Sequence, residues 1–217
     1  MRPFANQPSL TLLPEGAAFC THRSALIVAD LHLGKSATFR ARGLPVPEGD
    51  TARDLERLTH LVHKHHVLEL VLAGDMFHAP AGVTPELEAA LAEFLTQLAI
   101  PVTLVIGNHD AKLTRIPADL LSVTHHDLSE NLRVIHDPSA ADGGSFHIAG
   151  HWHPVVKIPD GRRASLRLPC FLCRDNTLVL PSFGSFTGGA LIPRKAADRV
   201  FVAHRESVVE LPNAWIS

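Results

Sequence analysis

The chain has only three cysteines in 217 residues, an odd number that cannot close a disulfide framework and that agrees with a reducing compartment. It lacks any apolar run near the roughly 18 residues that a membrane span needs: ALIVA (25–29) and VLELVLA (67–73) are short and interrupted by charge. The stretch MRPFANQPSL has no apolar signal-peptide core, so the expected location is the cytoplasm. An excess of positive charge is also missing. With 20 Lys and Arg against 22 Asp and Glu, no global field draws the protein to nucleic acid, and any such contact must be local. Repeats, low-complexity tracts and Ser/Gly linkers are absent, and one core can grow to about 250 residues. Residues 1–217 are therefore read as a single domain, with 46% hydrophobic residues to fill its core.

What the chain does have is histidine, 15 of them. The apolar pattern around them alternates between strand and helix. ALIVA reads as a buried strand, 51–64 carries helical spacing, and LELVLA (68–73) is a second strand. TPELEAALAEFLTQL (84–98) opens with a Thr cap and a proline at the first helical position, and PVTLVI (101–106) is a third strand. This βαβαβ order predicts a parallel sheet with helices on its faces. After about residue 130 the pattern turns to short strands without helical runs: NLRVIH, SFHIAG, SLRLP, NTLVLP, DRVFVA and SVVEL. Residues 34–50 read as the longest irregular connection. Cys170 and Cys173 form a lone CxxC, but their flanks alternate like strands, where positions i and i+3 face opposite sides; packing is the expected role.

Each predicted strand of the first half ends in a polar cluster: Asp30-Leu31-His32, then Gly74-Asp75-Met76-Phe77-His78, then Gly107-Asn108-His109-Asp110. NLRVIH closes on His136, with His125 and His126 as nearby competitors, and SFHIA runs into Gly150-His151-Trp152-His153. Ligand sites of open α/β sheets lie at the carboxyl ends of strands, so these clusters should converge. Any one of them alone reads as an ordinary turn. The series in this order does not. The run at His60, His63, His65 and His66, by contrast, reads as the solvated end of a helix.

The series DLH, GDMFH, GNHD, an isolated His and GHWH resembles the calcineurin-like metallophosphoesterases. DLHLGK with FRARGLPVPEG, GHWHP, LPCF and LPSFGSFTGG is further similar to the bacterial ligase-associated metallophosphoesterases, known as DNA damage response endonucleases. The resemblance implies an α/β fold, a four-layer αββα sandwich of two mixed sheets flanked by helices, holding two divalent ions. Carried over residue by residue, Asp30, His32, Asp75 and His153 would bind one ion and Asp75, Asn108, His136 and His151 the other, with Asp75 bridging. His136 departs from the family pattern in being followed by Asp137-Pro138 rather than glycine. His109 resembles the family's catalytic histidine, donating to a phosphoryl oxygen or to the leaving alkoxide. His151 and His153 would serve different ions because alternate residues of an extended segment point apart.

Two ions and two carboxylates leave a positive site that suits phosphate esters. Imidazole with carboxylate suits manganese first, then iron or zinc. Asp110 would orient His109 or hold the turn, His78 would support the ligands from behind, and Lys35 and Arg42 suit phosphate-backbone contacts. The expected activity is a metal-dependent phosphodiesterase acting on DNA in repair, associated through the resemblance with a DNA ligase and helicase, without a membrane. The alternatives are a small-molecule phosphodiesterase or pyrophosphatase acting on a nucleotide or lipid precursor, and a non-catalytic interaction module.

Overall fold

A computed structural model describes residues 3–4, 7–159 and 165–212. The first sheet runs in chain order: β1 (Pro3–Phe4), β2 (Gln7–Leu13), β3 (Ala17–Cys20), β4 (Ala25–Val28), β5 (Glu69–Leu72), β6 (Val102–Val105) and β7 (Leu121–Val123). Strands β1 to β4 form an antiparallel meander that the alternation did not announce, and β4 to β7 are parallel. The crossovers between parallel strands carry α1 (Lys35–Ala41) and α2 (Asp50–Lys64), then α3 (Pro85–Leu98). Helix α3 starts as its sequence dictates: Pro85 opens it, and the Leu87 N–H donates to the Thr84 hydroxyl at 3.3 Å. The apolar faces of α2 and α3, including Leu58, Leu61, Leu91 and Phe94, cover Leu26, Val28, Leu70, Leu72 and Leu104 on the sheet's outer side.

The second sheet is ordered β14-β11-β12-β13-β10-β9-β8, with β15 and β16 added beside β12. Its strands are β8 (His126–Ser129), β9 (Leu132–Val134), β10 (Phe146–Ala149), β11 (Pro154–Pro159), β12 (Ser165–Arg174), β13 (Thr177–Val179), β14 (Ala190–Leu191), β15 (Arg199–His204) and β16 (Ser207–Glu210). Strands β9, β10 and β13 are parallel. The sheets meet through Ile27, Val71, Ala73 and Val105 on one side and Leu132, Val134, Ile148, Phe171 and Leu178 on the other. Burying each of the larger aliphatics contributes on the order of 2 kcal/mol, so this interface fixes the two sheets against one another.

The fold is the expected α/β pair of mixed sheets with helices, α2 and α3 lying on the first sheet. Among the described residues the second sheet's outer face, with Val156, Cys170, Leu172, Val200 and Val202, packs against Trp152, Ile158 and Ile192 instead. That outer layer is strand and loop, in keeping with the missing helical period after residue 130. The CxxC obeys strand alternation: Cys170 enters this outer cluster and Cys173 the one between the sheets. Burial pushes their thiols up to about 12 and about 11, and all three cysteines are free.

One expectation is corrected: the 34–50 connection contains helix α1. Seven residues are too few for a 3.6-residue period to show, and the helix rests on tertiary bonds. The Thr38 hydroxyl donates to the Gly34 carbonyl at 3.0 Å, the Ser36 hydroxyl to Asp50 Oδ1 at 2.5 Å, and the Gly34 N–H to the Thr51 hydroxyl at 3.2 Å.

Candidate metal centre

Because β4, β5 and β6 are parallel, and β9 and β10 likewise, their carboxyl ends open onto one rim of the stacked sheets. The pairing of β4 with β5 continues past the sheet edge into the polar turns. The Asp30 N–H donates to the Gly74 carbonyl at 3.1 Å, His32 N–H to Asp75 O at 3.0 Å and Leu33 N–H to Met76 O at 2.8 Å. Five of the residues brought together have left-handed backbone: Asp30 (φ 56), His32 (50), Asp75 (48), His151 (70) and His153 (45). Side chains pay on the order of 1 kcal/mol for that conformation, and such strain collects at functional sites. His151 and His153 are therefore not an extended pair. They still part company, His151 lying with Asp75 and His136, and His153 with Asp30 and His32; within each trio the donor atoms are within 4.8 Å of one another. Trp152 between them turns to the outer face of the second sheet, with the Arg174 guanidinium 5.4 Å from its ring.

The protons decide what these groups can do. His153 Nδ1 lies 3.2 Å from the Gly188 carbonyl and must donate to it, which in the neutral ring leaves Nε2 with a lone pair. That nitrogen is 3.3 Å from His32 Nε2 and 3.4 Å from Asp30 Oδ1. In the second trio His136 Nδ1 donates to the Ala73 carbonyl at 3.1 Å, so its Nε2 lone pair faces Asn108 Oδ1 at 3.1 Å and Asp75 Oδ2 at 3.5 Å. A lone pair facing these oxygens at such distances must share a proton or a cation with them. Burial, then the neighbouring His153, His109 and Lys35, push the His32 pKa down to about 2, holding it as the neutral imidazole that a metal ion requires. Its Nδ1 is buried without a hydrogen-bond partner. His153 is raised: burial opposes its charge, but the Asp30 carboxylate and the Gly188 carbonyl outweigh that. The donor set thus fits divalent ions on both sides. His125 and His126 lie elsewhere, 3.9 Å from Asp127 and 2.8 Å from Glu69 respectively, while His136 is in the centre.

Two glycines of the turns are explained by close approach. A Cβ on Gly74 (φ 83) would collide with the His136 ring, and one on Gly107 with the Asp75 carboxylate. Gly74→Ala is expected to displace His136 and weaken metal binding at the Asp75, His136 and His151 trio by about 10- to 100-fold, the range for losing a group that orients a ligand. Metal titration by calorimetry checks this; unchanged affinity at both sites would contradict it.

Residues 24–165 match the calcineurin-like phosphoesterase family. The chain belongs to that family. It is accordingly a metal-dependent phosphoesterase, a hydrolase. Among solved structures, the nuclease MPE of Pseudomonas putida is similar at 33% identity and a TM-score of 0.77, covering 92% of this chain and 94% of that one. YfcE, a phosphoesterase from E. coli, is similar at 16% identity and a TM-score of 0.48, covering 86% of this chain and 97% of that one. No curated protein matches. Among the described residues no helix is long and apolar enough to cross a membrane.

Around this calcineurin-like centre, the GNHD turn is held from two sides. The His109 N–H donates to Asp75 Oδ1 at 2.8 Å, and its ring Nδ1 donates to the His78 carbonyl, which aims Nε2 away from that bond. His109 packs edge-on to His32, centroids 4.8 Å apart, and stacks on His78 at 5.3 Å. Asp110 does not orient His109. It accepts the N–H groups of Gly107 (3.0 Å), Phe77 (3.0 Å) and Met76 (3.4 Å), tying two polar turns together. Burial nevertheless pushes its pKa up to about 6 against those bonds. His78 is pushed down to about 4 by burial, then by Lys35, His109 and Arg42. Lys35 sits half-buried at the start of α1, and Arg42 is exposed just past its end.

The structure brings the FGSFTGGA segment (183–190), part of the LPSFGSFTGG stretch, to the centre. The Phe183 N–H donates to Ala29 O at 2.8 Å and the Gly184 N–H to Asp30 O at 3.3 Å, while the Gly188 carbonyl receives His153. Buried Asp54 of α2 accepts from the Ser185 N–H at 2.8 Å and from Arg57 at 2.9 Å, and Arg57 also donates to the Phe183 carbonyl. The signal missed was a carboxylate on the apolar side of a helix, Asp54 next to Leu55, which needed a buried partner.

Proposed function

We propose that the chain is a dinuclear phosphodiesterase that cleaves nucleic acid, DNA in the first instance. The observation that carries this reading is the pair of imidazole–carboxylate clusters whose inner nitrogens and oxygens converge to between 3.1 and 3.5 Å of one another. Asp30, His32, Asp75 and His153 would hold one ion and Asp75, Asn108, His136 and His151 the other, with manganese favoured over iron or zinc. When bound, the ions supply positive charge that polarises phosphoryl oxygen and makes water a better nucleophile. The chain's own contribution centres on His109: with Nδ1 committed to the His78 carbonyl, its Nε2 faces the reacting group, and in the imidazolium form it donates to a phosphoryl oxygen or protonates the departing alkoxide. Asp75 holds the His109 backbone in place while it serves the ions, and Asp110 keeps both turns in register.

Similarity over 92% of the chain to a nuclease favours nucleic acid over a nucleotide or lipid precursor, and the full donor set with His109 favours an enzyme over an interaction module. A role in repair, beside a DNA ligase and helicase in the cytoplasm, rests on the ligase-associated resemblance and belongs to the same proposal. The test is a parallel assay of manganese-loaded protein on single-stranded DNA, duplex DNA and bis(4-nitrophenyl) phosphate. Cleavage of DNA is expected; hydrolysis of the small diester alone would move the assignment to a small-molecule substrate.

The two basic side chains of the 34–50 segment give a second check. Lys35→Glu with Arg42→Glu is expected to weaken DNA cleavage and to lower the salt slope by about one for each phosphate that is no longer neutralised, while sparing the small diester. Equal losses on both substrates would assign them a structural role instead.

A further inference from the structure

Phe186 is an aromatic ring left 39% exposed in a loop that is otherwise tightly held. Two residues before it, Gly184 is bonded to the Asp30 backbone, and two residues after it, Gly188 receives the His153 ring. Its neighbour Ser185 is gripped by buried Asp54 through both N–H and hydroxyl, at 2.8 and 3.2 Å. The ring therefore stands at the lip of the metal centre on a segment that cannot readily collapse to hide it. A series of rings joins it to the chemistry. Phe39 lies edge-on to Phe186 at 5.8 Å and to His78 at 5.9 Å, and His78 stacks on His109. The Lys35 ammonium lies over the Phe186 ring, 5.9 Å from its centroid.

A partly exposed aromatic ring with an ammonium over it, fixed beside a phosphate-ester centre, matches a nucleotide unit: a flat base to stack on the ring's other side and a phosphate to neutralise. Resting on the nucleic-acid reading above, we propose that Phe186 is a stacking platform for an unpaired base next to the scissile phosphate, with Lys35 meeting that nucleotide's backbone. A paired base is stacked on its neighbours and offers no free face, so the platform favours single-stranded substrate. Phe39 is a positioning residue that props the ring from behind.

The test uses a uniform single-stranded oligonucleotide with one internal abasic residue, cut by manganese-loaded protein and resolved bond by bond on a gel. Wild type is expected to cut beside the abasic residue about tenfold more slowly than at the same bond of the intact strand. Phe186→Ala and Phe186→Leu should lose about tenfold on the intact strand, mainly through KM, and no longer distinguish the two strands; Phe186→Trp should retain both properties. Fluorescence anisotropy of a labelled strand, with no divalent ion added, should rank the variants in the same order. Metal content should be unchanged in all of them. An alanine variant that still discriminates against the abasic residue, or whose KM and anisotropy match wild type, overturns the platform. A wild type that hydrolyses bis(4-nitrophenyl) phosphate but neither strand fails earlier, at the nucleic-acid reading, and removes the platform with it.

Discussion

His109→Ala is expected to keep both metal ions and near-normal stability while lowering kcat on alkyl phosphodiesters by about 10²- to 10⁴-fold. The bond that matters for the fold is the one from the His109 backbone N–H to Asp75, and alanine keeps it. What alanine removes is an imidazole whose Nδ1 is occupied by the His78 carbonyl and whose other nitrogen is left for a reacting group. The loss should shrink for nitrophenyl esters, whose leaving group needs no proton. His109 also belongs to a third trio, with His32 and His78, whose donor atoms lie within 4.8 Å of one another. If an ion used that trio, the variant would lose metal along with activity, and steady-state kinetics beside elemental analysis separate the two outcomes.

Asp75→Asn should have the other large effect, stripping both ions. Asp75 is buried, its Oδ2 facing His136 and its Oδ1 held by the His109 N–H, and it is assigned to both ions. An amide of the same size removes the shared negative charge and presents N–H groups or a neutral oxygen to cations. His153→Ala, which touches the Asp30 and His32 side alone, should cost about one ion and leave the other. Elemental analysis of the purified variants checks both, and close to two ions in Asp75→Asn would sink the shared role.

The strand ends that hold the centre were legible because each announces itself by a buried apolar run broken by a polar turn, and parallel strands must deliver those turns to one edge. Thr84-Pro85 could be read for the same reason, being a local signal. Helix α1 could not, because its stability lies in Thr38, Ser36 and Asp50 rather than in a periodic face. The backbone of the GHWHP turn was misjudged: alternation is a property of extended chain, whereas His151 and His153 are left-handed residues held by the sites they serve, His151 through its N–H to Asp30 at 2.9 Å. The 183–190 loop was opaque because its tie to the centre runs through Asp54 and Arg57, about 130 positions earlier in the chain, and no local pattern encodes so distant a partner.

Crystals grown with manganese and measured at its absorption edge address the dinuclear assignment most directly. Two anomalous peaks are expected, one among Asp30, His32 and His153 and one among Asp75, Asn108, His136 and His151, with Asp75 in contact with both. A single peak, or a peak among His32, His78 and His109, would contradict it.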